Sequence, residues 1–253
     1  MVVAFLATTG LVRADVRYDT SGEDLYRMAG NGPASRVSYA GDQRLTVTRE
    51  GKLLRFEARV AYTRVGADGK AKANALFVAV SKPDGTFEDR VDDDPDFLTV
   101  LNQPFAVRLD LATLGDLRAL HGSVPFAATS PLGAQAVLHG FLRHAPGGPV
   151  GGREAVAVRF DAEGAMAGPL PGYAEMLVAG TMRMDGIAYY ALDDATLLAL
   201  DVTLRLDARL SQGRTSASVP VEIVYRRAIR ATAKTPLPVP LAGDGGTAAR
   251  ATP

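Results

Sequence analysis

Residues 198–210 read LALDVTLRLDARL. Leu198, Leu200, Val202, Leu204, Leu206, Ala208 and Leu210 fall on one parity. Ala199, Asp201, Thr203, Arg205, Asp207 and Arg209 fall on the other. Successive side chains of a strand point to opposite faces, so the stretch specifies a strand with one dry and one wet face. Leu200, Val202, Leu204 and Leu206 are expected to face the core, and Asp201, Thr203, Arg205 and Asp207 to face water.

The same period recurs outward from this stretch. Gln212-Gly213 turns the chain back into Val219, Val221, Ile223 and Tyr225. Upstream, Leu54, Phe56, Ala58, Val60 and Tyr62 alternate with Arg55, Glu57, Arg59, Ala61 and Thr63. Asp68-Gly69 marks a hairpin turn. Residues 75–80 are apolar on both parities and suit a return strand covered on both faces. Further strands are expected at 105–111, 137–142, 156–160 and 176–184, with Asp185-Gly186 turning the last into 187–192. Runs of this length joined by tight turns indicate a mainly β fold: a long-stranded antiparallel meander, curved or forming an open barrel.

Two or three short helices complete the expectation. Ser21 is a candidate N-cap for a helix carrying Leu25 and Met28 and ending at Gly30. Thr113-Leu114-Gly115-Asp116 opens another, with Leu114, Leu117 and Leu120 at helical spacing and Gly122 ending it. Residues 97–103 suit a third, stopped before Pro104.

Three segments are distinguished along the 253 residues. Residues 1–14 combine an apolar run of signal-peptide length with Val12 and Ala14 at a cleavage site, although no basic residue precedes the run. Residues 15–231 read as a single β-rich domain. Residues 232–253 are rich in Pro, Gly and Ala without periodicity, as in a disordered tail. PGGPVGG at 146–152 reads as a long loop, since strands of one character stand on both sides of it.

Composition narrows function mostly by exclusion. Lys+Arg and Asp+Glu both number 28, which argues against a generally basic nucleic-acid binder. Cysteine is absent, which removes disulfides, zinc-thiolate sites and cysteine nucleophiles. Five of the 28 basic residues are lysine; the scattered arginine excess suits codon bias better than a recognition patch.

Candidate chemistry is sparse. His139 and His144 lie five apart, on opposite faces of a regular strand, and no third ligand joins them. His121 sits beside Ser123, but no Gly-x-Ser-x-Gly elbow exists. The acidic run Asp92-Asp93-Asp94-Pro95-Asp96 lacks the glycine and glutamate of a calcium loop and reads as a solvated turn. Gly147-Gly148 and Gly151-Gly152 lack phosphate-loop spacing. No catalytic set, metal site or cofactor motif emerges. Met176, Val178, Met182 and Met184 share a parity, and adaptable methionines suit a surface that accepts varied apolar ligands. These four are the candidate ligand-binding residues.

At the level of architecture, a signal segment followed by a long-stranded meander with short covering helices is similar to bacterial periplasmic carriers of lipids and lipoproteins. The expectation is therefore an exported, non-catalytic carrier in the periplasm or outside the cell. It would hold an apolar small molecule or lipid on the concave face of its sheet, with no nucleic acid and no integral membrane span. The alternative is a secreted β-domain acting as a protein–protein interaction or structural module. It would bind an envelope partner at a sheet edge, with Arg226, Arg227 and Arg230 blunting the edge of the last strand.

Overall fold

The computed structural model describes residues 12–28, 33–50, 53–81, 87–92, 115, 117, 122–129, 137–170, 173–193, 196–213 and 217–232. Eleven strands follow one another: β1 (Val12–Met28), β2 (Ser35–Glu50), β3 (Leu53–Gly66), β4 (Gly69–Ser81), β5 (Phe87–Asp92), β6 (Ser123–Thr129), β7 (Val137–Ala145), β8 (Ala155–Leu170), β9 (Tyr173–Ala191), β10 (Leu197–Gln212) and β11 (Ser218–Ala231). All pairings are antiparallel, and the sheet order is β5-β4-β3-β2-β1-β11-β10-β9-β8-β7-β6. The sheet is curved and unclosed, with β5 and β6 at its two edges. The first and last strands meet in its middle, where β1 pairs with β2 on one side and β11 on the other.

Alternation decides which side chains turn inward. Leu200, Val202, Leu204 and Leu206 are buried, while Arg205 and Asp207 are exposed and Asp201 and Thr203 half-exposed. In β3, Phe56, Ala58, Val60 and Tyr62 are buried by the same rule. β4 departs from expectation. Ala75, Phe77 and Ala79 are buried, but Leu76, Val78 and Val80 are half-buried, so this strand too has one dry face. The main apolar cluster joins residues of β1 to β4 with residues of β6 to β11.

Three local readings are corrected. The helix expected from Ser21 is strand as far as Met28: Ser21-Gly22-Glu23-Asp24 lies inside β1, paired with β2 and β11. Tertiary pairing overrides the cap signal there, because Tyr18, Thr20 and Asp24 of one parity are all buried. Asp185-Gly186 is no turn but the interior of the 19-residue β9. A Cβ at Gly186 would press against the Asp201 carbonyl and lie 2.6 Å from Phe160 Cζ, so glycine is required by close approach. Leu198 does not share a face with Leu200. The register shifts between Leu197 and Ala199, and this bulge puts Leu198 with Ala155 and Ala191 in a small separate cluster.

The helices expected at 97–103 and, for the most part, 113–122 lie outside the described residues, as do the strand at 105–111 and the tail beyond 232. Gly115 and Leu117 have helical backbone, and Leu117 is fully buried in the main cluster. PGGPVGG closes in a tight turn. Val150 and Arg153 exchange two backbone hydrogen bonds around Gly151 and Gly152, both at positive φ.

The glycines of the long strands explain the curvature. Gly22, Gly41, Gly140, Gly164, Gly180 and Gly186 share the parity of buried neighbours on their strands, and a Cβ at any of them would collide with the carbonyl of the adjoining strand. Strands can approach this closely on the concave side only where no side chain intervenes.

Leu204→Asp is expected to cost several kcal/mol, because it places an unpaired carboxylate in the cluster, whereas Thr203→Asp costs under about 1 kcal/mol. Equal losses in denaturant titrations would contradict the division of the sheet into a dry and a wet face.

Candidate functional site

The four sequence-predicted residues come together on the inner face of β9. Val178, Met182 and Met184 are buried in the main cluster, and Met176 is packed against it, partly exposed. Their cross-strand neighbours are small on one side. Met182 stands opposite Gly164 of β8, Val178 opposite Gly168, and Met166 of β8 opposite Gly180. On the other side they meet the dry face of β10, with Met182 opposite Leu206 and Met184 opposite Leu204. Long, flexible thioethers thus face positions with no side chain, and methionine adapts its shape to such gaps.

A polar group on the same inner face went unread in the sequence. Asp24 of β1 and Arg227 of β11 form an ion pair in which both side chains are about 1% exposed. Arg227 Nη1 donates to Asp24 Oδ1 at 2.5 Å and Nη2 donates to Oδ2 at 3.3 Å; Nη1 also reaches the Arg226 carbonyl at 2.9 Å. The guanidinium lies over the rings of Tyr39 and Tyr225, 5.0 and 5.9 Å from their centroids. The Tyr26 hydroxyl donates to Asp24 Oδ2 at 3.4 Å. Gly22 makes the site possible, because a Cβ there would fall 2.8 Å from the Arg227 Cδ. Such a pair needs its extra hydrogen bonds to offset desolvation, and these partners supply them.

Arg226, Arg227 and Arg230 therefore do not blunt an edge, as the sequence suggested. β11 is central in the sheet and Arg227 points inward. Its neighbours do face outward: Arg226 pairs with Glu23 and Arg230 with Asp201.

Burial raises the Tyr39 hydroxyl far above its ordinary value of 10.0, and the Asp24 carboxylate pushes it further. Tyr190 and Tyr225 are raised mainly by burial as well, with lesser contributions from neighbouring tyrosines.

The remaining candidates stay apart. His139 is exposed and His144 half-buried on the opposite face of β7. His121 and residues 93–96 of the acidic run lie outside the described residues. Among the described residues no group of three or more His, Asp or Glu could hold a metal ion. Two open hollows, of about 940 and 770 Å³, lie on the outer face. They are lined by charged pairs such as Arg143–Asp161 and by Arg17, Arg44 and Arg59, and none of the β9 candidates reaches them.

That outer face carries further pairs across neighbouring strands, including Arg44–Asp15, Arg183–Glu163 and Arg205–Asp185. Charge of this density cannot face hydrocarbon, so the described strands have the opposite polarity to a lipid-embedded barrel. No helix among the described residues is long and apolar enough to cross a membrane. Neither a family model nor a curated protein matches the chain.

Two outcomes are expected. Asp24→Leu or Arg227→Met alone should each cost about 3–5 kcal/mol by leaving its partner charged and buried, while the double variant recovers most of the loss. A cycle measured by denaturant unfolding checks this; small additive losses would contradict a buried pair. The tyrosines set an alkaline limit. Their folded-state values lie above 10.0, so their contribution is complete below pH 10. Above it the unfolded chain releases phenolic protons that the folded chain retains, and stability falls. Phenolate absorbance should therefore rise together with unfolding. Titration of all tyrosines near pH 10 in a folded protein would contradict the placement.

Proposed function

We propose that this chain is an exported bacterial carrier. It holds an apolar or lipid-like ligand against the inner face of its curved sheet and performs no catalysis. The observation that carries the reading is the β9 strip of Met176, Val178, Met182 and Met184, in which Val178 and Met182 stand opposite Gly168 and Gly164 of β8 and Met184 opposite Ala162. An apolar ligand needs a large, adaptable apolar wall and few polar contacts. The charged outer face keeps the protein itself out of the bilayer's hydrocarbon. Export rests on residues 1–14. Cleavage after Ala14 would leave Asp15–Met28 of β1, with its pairing to β11 intact from Tyr18 to Met28.

A protein-binding module has the two sheet edges, β5 and β6, in its favour. Pro125 lies within β6 and offers no backbone N–H to an added strand, and β5 is short and carries Glu88, Asp89, Arg90 and Asp92, so both edges are poor templates.

Organic extraction and mass spectrometry of protein purified from its own host should yield an apolar compound in near-stoichiometric amount. The same preparation should begin at Asp15. Protein that is ligand-free as isolated, with Met182→Ala and Met184→Ala each costing the full 2–5 kcal/mol of a solid core, would overturn the carrier reading (both figures are about those of packed large-to-small changes).

A further inference from the structure

Four of the large apolar side chains that remain exposed lie at one rim of the sheet. This is the rim where β1 turns toward β2, β3 into β4, β8 into β9 and β10 into β11. Met28, Val65, Leu177 and Val219 stand there, 38–55% exposed. Two of them continue the dry interior outward. Met28 follows Asp24 and Tyr26 on the inner parity of β1 and pairs with Val221, while Val219 stands opposite Leu210. The partly exposed Met176 lies at the same end of β9. The inner apolar surface therefore reaches solvent here.

The charges around this rim are unevenly matched. Asp68 and Glu222 are taken up by Arg64 and Arg27. Lys70 and Lys72, both exposed at the start of β4, have no ion-pair partner among the described residues. Arg209 bonds to the hydroxyl and carbonyl of Ser218 rather than to a carboxylate. These three cations stand against Glu175 and Asp207, the latter opposite Glu222, which leaves Lys70 and Lys72 as the unmatched charges beside Val65.

We infer that this rim docks reversibly on an anionic lipid bilayer, with Met28, Val65, Leu177 and Val219 entering the headgroup region and Lys70 and Lys72 meeting lipid phosphates. Shallow apolar contacts and a few basic residues together give weak, lipid-selective attachment. The inference deepens the carrier reading, because the rim is where the apolar interior would exchange ligand with a membrane. Vesicle binding and ligand content are separate measurements, so each idea can fail without the other.

The full chain is sedimented with phosphatidylcholine vesicles, with and without phosphatidylglycerol. Wild type should bind the anionic vesicles and bind the neutral ones much less. Met28→Glu/Val219→Glu should abolish binding. Lys70→Glu/Lys72→Glu should weaken it by about fivefold or more per lysine. Phe141→Ser, which alters an exposed apolar residue away from this rim, should change nothing. Circular dichroism confirms that each variant folds; these sites are exposed, so strand content should not change. Absence of binding to anionic vesicles, or binding that both rim variants leave intact, would overturn the proposal.

Discussion

The architecture depends on the pairing of β1 with β11. β1 is the first described strand and β11 the last, yet the two run side by side in eleven registered pairs from Tyr18↔Ala231 to Met28↔Val221. Each half of the chain is a meander of its own, β1 to β5 and β6 to β11, and this seam makes one sheet of them. Asp24 and Arg227 mark it on the inner face, and Glu23 and Arg226 mark it on the outer face. A slip of one residue would exchange the faces, sending Asp24 to solvent and Leu25 inward. A buried charge pair is a weak source of net stability but a strong discriminator against such a slip. Closure also joins residues about 200 positions apart, so folding must meet a large loop entropy before the seam contributes anything.

The division of faces follows from the seam and the inner glycines. Outward positions carry cross-strand ion pairs, each of them exposed and individually weak. Inward positions carry the apolar cluster, and glycine allows strands to close on it. Where methionine faces glycine, along β8 and β9, the interior is adaptable. Elsewhere in the same cluster it is filled by large, fully buried side chains such as Tyr18, Leu45, Phe56 and Leu204.

The strands were legible where alternation was uninterrupted. Leu200 to Leu206 and Phe56 to Tyr62 took the faces their parity assigned. Legibility failed where a local signal competed with a distant partner. Ser21-Gly22-Glu23-Asp24 has the chemistry of a helix start, and nothing nearby announces that its partners are residues 225–228 and 37–40. Asp185-Gly186 has the chemistry of a turn, yet the glycine serves close packing against Phe160. The bulge at Leu198 left no mark in the pattern.

The β9 candidates were legible as a shared face, but the glycines opposite them were not, because they depend on register. The Asp24–Arg227 pair left half a signal. Arg227 interrupts the dry parity of Val221, Ile223, Tyr225 and Ile229, and a cation in such a position calls for a buried anion. Its partner was hidden by reading the stretch from Ser21 as a helix.

Amide hydrogen exchange, resolved by strand, tests the seam most directly. With β1 and β11 central, their amides between Tyr18 and Met28 and between Val221 and Ala231 should be among the slowest to exchange, and those on the open side of β6 among the fastest. Exchange along β1 at the rate of an unpaired edge, with β2 and β10 protected beside it, would contradict the account.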